Sequence, residues 1–195
     1  MLLAQLKGNS GDLIEGPLLI KPDVKRDERG YFYESWNQKR FNSKTNFLNS
    51  FNQDNISFSN KGTIRGLHYQ INPCAQSKLV SCLCGEIYDV AVDLRRNSKT
   101  FGDWVGVKLN SDNFHQFWIP EGFAHGFLVT SNHCKVLYKV SGYWSKNHER
   151  GLYWKDENLN IDWPLKEHEI NDVIINLKDK NASSFKKIKN DGDLF

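Results

Sequence analysis

The 195-residue sequence predicts an all-β fold, a jelly-roll barrel with an N-terminal extension and short C-terminal helices. Short runs rich in β-branched and aromatic residues recur at roughly the 8- to 12-residue spacing that is typical of sandwiches and barrels. Residues that favour tight turns separate these runs at 85–86, 110–113 and 131–133. Because no internal repeat or linker interrupts the pattern, we expect one domain over residues 1–195.

The predicted strands follow one another along most of the chain. They cover residues 30–36, 53–59, 65–70, 78–83, 87–94, 104–109, 116–119, 126–130 and 136–140. In the run 87–94, Asp89 and Asp93 fall among apolar residues at mixed periods, which predicts a strand covered on both faces. We therefore expect these aspartates to make buried structural hydrogen bonds. The helical candidates are 37–42 and the tail from residue 170 onward.

The charge and hydropathy of the chain exclude several classes of function. Its 26 basic and 23 acidic residues are interleaved and give a formal net charge of +3, which is unlike the basic stripe of a nucleic-acid-binding protein. We interpret the lysine-rich stretch 185–189 as a solvated face. The N-terminus lacks a signal-peptide pattern and no run approaches the ~18 apolar residues of a membrane span. We therefore expect a cytoplasmic protein that binds neither nucleic acid nor membrane.

The cysteines show no zinc-binding pattern, because none of them forms a Cys-x-x-Cys pair. They are Cys74, Cys82, Cys84 and Cys134. We expect them to be reduced, partly buried thiols.

The most informative stretch is 65–70, Arg-Gly-Leu-His-Tyr-Gln, which places Arg65 and His68 three residues apart. An imidazole titrates near neutrality and suits a general base, and an arginine beside it suits an anion. The stretch 117–127 adds His125, and 136–139 adds Tyr138 within a strand. Together these residues indicate proton transfer on an anionic substrate.

Further stretches extend this pattern along the chain. They read Asp-Glu-Arg-Gly-Tyr-Phe at 27–32, Asp-Leu-Arg-Arg-Asn-Ser-Lys-Thr-Phe-Gly at 93–102, Asp-Trp-Pro-Leu at 162–165 and Lys-Asp-Lys-Asn-Ala at 178–182. With them, the chain resembles the dTDP-4-dehydrorhamnose 3,5-epimerase family, enzymes of activated deoxysugar synthesis built on a cupin-type jelly roll. The resemblance implies an isomerase without metal or other cofactor. Its reaction would convert dTDP-4-dehydro-6-deoxy-D-glucose to dTDP-4-dehydro-L-rhamnose by epimerisation at C3 and C5.

Epimerisation next to a ketone needs a base, a cation at the developing oxyanion and an acid on the opposite face. His68 suits the base, Lys78 the cation and Tyr138 the acid, and the resemblance places the same roles at these positions. It also places at Asp179 the carboxylate that would orient the ring of His68. Around Asp179, three residues replace a leucine, a serine and a proline of the family pattern; they are Ile175, Asn176 and Ser183.

The resemblance also implies how a nucleotide diphosphate sugar would be bound. Arg65 and Arg29 match the cationic partners that a pyrophosphate needs. Further substrate contacts are implied at Glu34, Gln53, Asn55, Lys78, His125, Glu149 and Lys178. The family forms a homodimer with shared active sites, in which Arg29 and Glu34 would come from the other subunit. Trp144 stands where the family has a tyrosine that stacks on the thymine, with Tyr143 just before it, and an indole can stack at least as well.

Three alternatives belong to other functional classes. A metal-dependent cupin needs a facial cluster of histidines with a carboxylate, yet Gln70 stands two positions after His68 and only His125 could join that histidine. A related metal-free cupin could use the same catalytic residues to epimerise a single carbon, or to move the ketone between C3 and C4. A binding module with a dead site is disfavoured because all four candidate catalytic residues are present. The remaining histidines are interpreted as surface or loop residues; they are His115, His133, His148 and His168.

Overall fold

The computed structural model of the protein describes residues 1–45 and 47–195. In chain order, the strands are β1 (Leu2–Lys7), β2 (Leu13–Lys21), β3 (Lys25–Asp27), β4 (Gly30–Phe32), β5 (Phe51–Asn60), β6 (Ile64–Gln70), β7 (Lys78–Cys84), β8 (Glu86–Asp93), β9 (Trp104–Asn110), β10 (Gln116–Ile119), β11 (Phe123–Val129), β12 (His133–Ser141) and β13 (Glu149–Gly151). The helices are α1 (Gln38–Thr45), α2 (Leu177–Lys180) and α3 (Phe185–Asp191).

The strands form two large antiparallel sheets that are the walls of a barrel. One sheet has the order β1-β2-β10-β7-β12-β5, and the other has the order β13-β6-β11-β8-β9. Most neighbouring strands are distant in sequence, which is the connectivity of a jelly roll and not of a simple meander. The predicted all-β fold is therefore confirmed.

The space between the two sheets is filled by apolar side chains from both walls. Val80 and Val136 of the six-stranded sheet meet Val105 and Phe127 of the five-stranded sheet in one buried cluster. Polar side chains take over on the inner faces of β5, β6, β7 and β12 toward one end of the barrel, where they surround a cavity. The apolar cluster thus fills the interior of the barrel next to the polar cavity.

The outer faces of the sheets are covered by the parts of the chain that contain the helices. Trp163 and Ile188, from the C-terminal region, pack on the outer face of the five-stranded sheet. Phe41 of α1 packs on Trp118 at one end of the six-stranded sheet, with 5.0 Å between ring centroids. The C-terminal cover is what brings α2 against β6, beside the cavity.

Most predicted elements coincide with observed ones. The predicted strands from 53–59 onward are all present, with ends that differ by at most three residues, and helical segments lie in both predicted regions. The predicted strand 30–36 is wrong beyond Phe32. Tyr33 and Trp36 leave the strand because their rings pack on Phe114 and Phe41, at centroid distances of 5.2 and 4.9 Å.

The N-terminal extension is an integral part of the barrel wall. Strand β1 pairs with β2 along its whole length, and β2 pairs with β10 through Leu18, Leu19 and Ile20. The short hairpin β3–β4 then projects as a separate two-stranded ribbon whose residues are all exposed. The extension therefore contributes two barrel strands and one protruding hairpin.

Strand β8 is buried on both faces except at Glu86 and Tyr88, which are half-buried, as its mixed periodicity predicted. Both of its aspartates are fully buried. Asp93 is structural, because its carboxylate accepts hydrogen bonds from the side chains of Arg95, Ser98 and Thr100. Asp89 instead contacts a histidine on the neighbouring strand, which gives it a place in the candidate site.

The four cysteines are free thiols, of which Cys82 and Cys134 are buried, Cys74 is half-buried and Cys84 is exposed. Burial raises the pKa of Cys82 to about 12 and that of Cys134 to about 11, so both remain protonated. The expected partly buried thiols are thus found at every position except Cys84. Within the described residues, no helix has the length and apolar character needed to span a membrane.

Candidate active site

Arg65 and His68 line the same cavity although they are three positions apart on one strand. In a regular strand, residues three apart point to opposite faces. The pairing of β6 with β11 shifts here, because His68 lies opposite His125 whereas Arg65 lies opposite Phe127. Three residue steps on β6 therefore face two on β11, and this β-bulge turns Arg65 and His68 to the same side.

Two glycines allow this bulge. Gly66 has a φ of +121°, and a Cβ there would lie only 2.6 Å from the Cα of Gly126. A Cβ on Gly126 would lie 2.7 Å from the carbonyl oxygen of Arg65. A side chain at either position would force the two backbones apart. The backbone N–H of Gly66 donates a hydrogen bond to Asp179 at 3.0 Å, so the bulge also positions a carboxylate.

His68 and Asp179 form a His–Asp pair, with 2.7 Å between His68 Nε2 and Asp179 Oδ1. Burial opposes ionisation of Asp179, but the contacts with His68 and with the N–H of Gly66 lower the pKa of its carboxyl below the ordinary value. A charged carboxylate only accepts hydrogen bonds, so Nε2 carries a proton, and in the neutral ring Nδ1 is the nitrogen with a lone pair. The predicted contact between these two residues is present.

Helix α2 delivers Asp179 to this place. Asn176 precedes the helix in an extended conformation, and its side chain accepts a hydrogen bond from the N–H of Asp179 at 2.7 Å. Asparagine is among the best N-cap residues, so this departure from the family serine preserves the cap. Upstream, Ile174 is tied to β6 by hydrogen bonds between its carbonyl and the Ile64 N–H and between its N–H and the Gly62 carbonyl.

A second His–Asp pair lies on the neighbouring strands. His125 Nε2 is 2.6 Å from Asp89 Oδ1, and both side chains are buried. Burial lowers the pKa of His125 despite the opposing effect of Asp89, so the imidazole is neutral at pH 7. As with the first pair, the carboxylate holds one ring nitrogen and leaves Nδ1 for another partner. Asp89 Oδ2 is buried without a hydrogen-bond partner among the described residues.

Lys78 provides the positive charge of the site. It lies on β7, in the opposite sheet, and its Nζ donates to the carbonyl of His68 at 3.0 Å. Burial lowers the pKa of Lys78 to about 8, although the charges of Asp89 and Glu149 favour its protonated form. The ammonium is therefore charged at neutral pH and has few competing partners, which suits an oxyanion.

Tyr138 faces His68 from the other wall of the barrel. Tyr138 lies on β12 in the six-stranded sheet, whereas His68 lies on β6 in the five-stranded sheet, and both line a cavity of about 340 Å³. Burial raises the pKa of Tyr138, with Arg65 opposing, so its hydroxyl remains protonated. A molecule in the cavity would thus have a proton acceptor on one side and a proton donor on the other.

The mouth of the cavity is lined by Trp144 and Glu149, and Lys178 pairs with Glu149 there. Lys178 Nζ lies 2.6 Å from the Glu149 carboxylate. Burial opposes ionisation of Glu149, but the ion pair with Lys178 and the nearby Trp144 side chain lower its pKa. The indole of Trp144 is 57% exposed and lines the cavity, whereas Tyr143, which is 71% exposed, does not. The structure therefore brings Trp144, and not its neighbour, to the site.

The remaining predicted contacts fall into two groups. Gln53 and Asn55 lie two residues apart on β5, line the cavity and are joined by a 2.8 Å hydrogen bond. Arg65 lines a smaller adjoining cavity of about 140 Å³, together with His68, Tyr138 and Ser57. Its guanidinium is fixed by a hydrogen bond in which Nε donates to the hydroxyl of Ser59 at 2.9 Å.

Arg29 and Glu34 do not lie at the cavity of their own chain. Arg29 lies in the turn of the β3–β4 hairpin, is 85% exposed and pairs with Asp27 at 2.6 Å. Glu34 pairs with Arg40 at 3.0 Å on the far side of the sheet, beside α1. These two residues can serve a site of this kind only in another copy of the chain.

Several side chains of the site were missed or misread from the sequence. Asp89 was expected to be structural, yet it holds His125. Gln70, Gln76 and Ser57 line the cavities and had no predicted role, although Gln70 stands two positions after His68 on β6 and so shares its face. The histidines read as surface or loop residues do not line either cavity. Among the described residues, no three His, Cys, Asp or Glu side chains cluster as metal ligands.

The chain is similar to proteins of one enzyme family. The family model for dTDP-4-dehydrorhamnose 3,5-epimerase matches residues 12–187. The chain belongs to this epimerase family. The dTDP-4-dehydrorhamnose 3,5-epimerase of Shigella flexneri is 52% identical over 159 residues, which cover 82% of this chain and 88% of that protein.

Solved structures of the epimerase family share the whole fold. The dTDP-6-deoxy-D-glucose-3,5-epimerase of Legionella pneumophila Philadelphia 1, in complex with dTDP-4-keto-L-rhamnose, is 41% identical with a TM-score of 0.88, covering 99% of this chain and 97% of that one. A 3'-monoepimerase from Streptomyces bikiniensis, in complex with dTDP-quinovose, is 27% identical with a TM-score of 0.85, covering 93% and 89%. The cupin-type jelly roll is thereby confirmed.

Proposed function

We propose that this chain epimerises C3 and C5 of dTDP-4-dehydro-6-deoxy-D-glucose to give dTDP-4-dehydro-L-rhamnose, the reaction for which its family is named. One observation supports it above all others. His68 and Tyr138 face a single cavity from opposite sheets, and the ammonium of Lys78 lies against the backbone of His68. Inversion at a carbon next to a ketone needs a base and an acid on opposite faces and a cation at the developing enolate oxygen.

The first step is removal of a proton by His68. Nδ1 takes the proton from the carbon next to the C4 ketone, and the C–H electron pair moves into the carbonyl to form an enolate. Asp179, bound to Nε2, stabilises the imidazolium that results. Lys78 stabilises the enolate oxygen, and its buried position makes that interaction stronger than it would be in water.

The second step is return of a proton by Tyr138 from the other wall. The enolate carbon takes the phenolic proton, the C4 carbonyl re-forms and the configuration inverts. The phenolate and the imidazolium then recover their resting states by exchange with solvent through the open mouth of the cavity. The same cycle at the second carbon completes the reaction.

The remaining side chains bind the dTDP moiety and the sugar. Arg65 suits the pyrophosphate, because Ser59 fixes its guanidinium and leaves donors toward the cavity. Trp144 suits the base, since its half-exposed indole offers a face at the mouth. Polar contacts to the sugar and nucleotide would come from Gln53, Asn55, Lys78, His125, Glu149 and Lys178.

The active unit is a homodimer in which Arg29 and Glu34 of each chain complete the site of the other. Two features support this. The β3–β4 hairpin exposes Tyr31 and Phe32, and strand β5 at the edge of the six-stranded sheet exposes Ile56 and Phe58. An exposed apolar edge strand is a surface that proteins usually cover. The apolar β3–β4 hairpin of a second chain would suit the exposed face of β5.

Proton NMR of the product formed in heavy water tests the proposed reaction. Deuterium at both C3 and C5, with inverted configuration at each, is the expected result. Label and inversion at one carbon would instead indicate a single-carbon epimerase, a reaction that the fold accommodates, as the Streptomyces bikiniensis enzyme shows. Transfer of the ketone to C3 would indicate a ketoisomerase.

A further inference from the structure

The buried side-chain amide of Gln70 forms hydrogen bonds with the residues on both sides of Trp144. Gln70 lies on β6 two residues after His68, is 4% exposed and lines the same cavity. Its Nε2 donates to the carbonyl of Tyr143 at 3.3 Å, and its Oε1 accepts from the N–H of Ser145 at 2.5 Å. The backbone on both sides of Trp144 is therefore held by one side chain of the barrel wall.

The same amide also joins this segment to the rest of the site. Gln70 Nε2 donates to the carbonyl of Cys74 at 2.7 Å, in the turn that precedes β7. On the other side, the carbonyl of Ser145 accepts from the N–H groups of His148 and Glu149. The anchor at Gln70 is thus continuous with the start of β13.

Other contacts hold the end of the segment: Ser145 Oγ lies 2.8 Å from His148 Nδ1, and the Ile71 N–H donates to the His148 carbonyl at 3.0 Å. Gly142 is tied to Asn52 at 3.2 Å and to Gln76 at 3.4 Å, and both hydrogen bonds are exposed to solvent. The stretch from Gly142 to His148 belongs to no strand, and the indole of Trp144 is 57% exposed. Apart from the hydrogen bond of its side chain to Glu149, little packing fixes this ring, so the backbone contributes to its position.

We propose that Gln70 is a positioning residue for Trp144 and thereby sets the affinity of the site for the nucleotide. The inference rests on the proposed stacking of Trp144 on the base. Without the amide, residues 143–145 would sample more conformations, and binding would have to order them again. The chemical step would be spared, because His68 and Tyr138 lie on β-strands and Asp179 on a capped helix.

Gln70→Met keeps the length of the side chain and removes both hydrogen bonds to the segment. We expect it to weaken the binding of dTDP by about 5- to 150-fold, the range that corresponds to one stacked base. KM should rise in parallel, while kcat stays within about twofold, because a uniform binding interaction is lost. Calorimetry with dTDP and steady-state kinetics measure these values. Gln70→Asn, which is too short to reach both partners, provides a second polar variant with the same expected direction.

Thr130→Val is the matched control. Its hydroxyl is buried and donates to Glu86 at 3.0 Å, just beyond the end of β11 and away from the cavity lining. It should lower the thermal midpoint as Gln70→Met does, because each variant loses buried hydrogen bonds, and leave dTDP affinity unchanged. Equal effects of the two variants on dTDP affinity would overturn the proposal, since a general loss of stability would then explain both.

A double-mutant cycle with Trp144→Ala separates this inference from the proposed function. If Gln70 acts through Trp144, the double variant should bind dTDP no more weakly than Trp144→Ala alone. Additive losses would overturn the positioning role. Unchanged dTDP affinity in Trp144→Ala would instead reject the stacking of Trp144, and with it the basis of the inference. A normal affinity in Gln70→Met, beside a weakened Trp144→Ala, would reject the role of Gln70 alone.

Discussion

His68 and Tyr138 lie on opposite sheets of the barrel and line one cavity between them. The relation follows from the fold, because the inner faces of a two-sheet barrel point toward each other. The contacts agree with it: Asp179 binds Nε2 of His68 and leaves Nδ1 free of that contact, while burial raises the pKa of Tyr138 and keeps its hydroxyl protonated. Two walls of one barrel thus present opposite proton-transfer groups to a single molecule.

Replacement of His68 should abolish both epimerisation and solvent exchange. His68→Asn removes the imidazole that we assign as the base at both carbons, and general base catalysis contributes on the order of 100- to 10,000-fold. Deuterium incorporation at C3 and C5 in heavy water measures the loss. His168→Asn, on a histidine that lines neither cavity, is the control and should keep full activity. A His68→Asn rate above about a tenth of the wild-type value would reject this base.

Asp179→Asn should reduce kcat strongly while the protein remains folded. The asparagine amide would donate to Nε2 and so favour the tautomer with a proton on Nδ1, which could no longer accept one. We expect a loss on the order of 100- to 10,000-fold in kcat. Steady-state kinetics and the thermal midpoint together test this. A variant with normal kcat and a raised KM would show that Asp179 binds substrate and does not orient the base.

The sequence suggests roles for its chemically distinctive residues but does not predict their relative placement. His68, Lys78 and Tyr138 could be named because few residue types perform these roles and the resemblance covers their surroundings. That Arg65 shares a face with His68 could not be predicted from spacing, since the bulge depends on how β6 pairs with β11. The partner of Asp89 was missed for a similar reason, because strand pairing across β8 and β11 decides it.

Some strands could be predicted from the sequence and others could not. The composition and spacing of the runs and the turn residues between them predicted the central strands, whereas β1 and β2 were predicted only as an extension. Gly16 and Pro17 lie within β2, and both residues weaken a strand pattern. Strand β13 has three residues, Glu-Arg-Gly, and exists because Glu149 pairs with Gln70. Such elements are set by their neighbours and not by their own composition.

The activity should decline on the alkaline side as Lys78 loses its charge. Burial lowers its pKa to about 8, so the ammonium to which we assign stabilisation of the enolate is present below that pH and absent above it. The pH profile of kcat/KM reports this group in the free enzyme. Lys78→Met should be much slower and should lack the decline near pH 8. An alkaline limb that persists unchanged in the variant would assign it to another group.

Two inactive variants should restore activity when mixed, if Arg29 serves the other chain of a homodimer. In a mixed dimer of Arg29→Ala and His68→Asn, one site has both native residues and the other has neither. Random exchange of equal amounts would therefore restore up to about a quarter of the wild-type sites, because half of the dimers are mixed and each has one intact site. Activity assayed after refolding the two chains together measures this. Complementation would be absent if Arg29 acts in its own chain.

The sharpest test of the two-walled site is Tyr138→Phe, which keeps the ring for packing and removes only the hydroxyl. Removal of the substrate proton should survive, because His68, Asp179 and Lys78 are untouched. The enolate can then be reprotonated efficiently only by His68, from the face that it left. We expect deuterium from heavy water to enter the substrate with retained configuration.

Inverted product of the same variant should fall by on the order of 100-fold or more, the range of general acid catalysis. Proton NMR of recovered substrate and product measures exchange and inversion separately. Equal decline of both would mean that Tyr138 is needed for enolate formation and is not simply the acid. Inversion near the wild-type rate would place the acid elsewhere, with Tyr143, His125 or a bound water as the candidates. Only exchange that outlasts inversion supports a donor on the wall opposite His68.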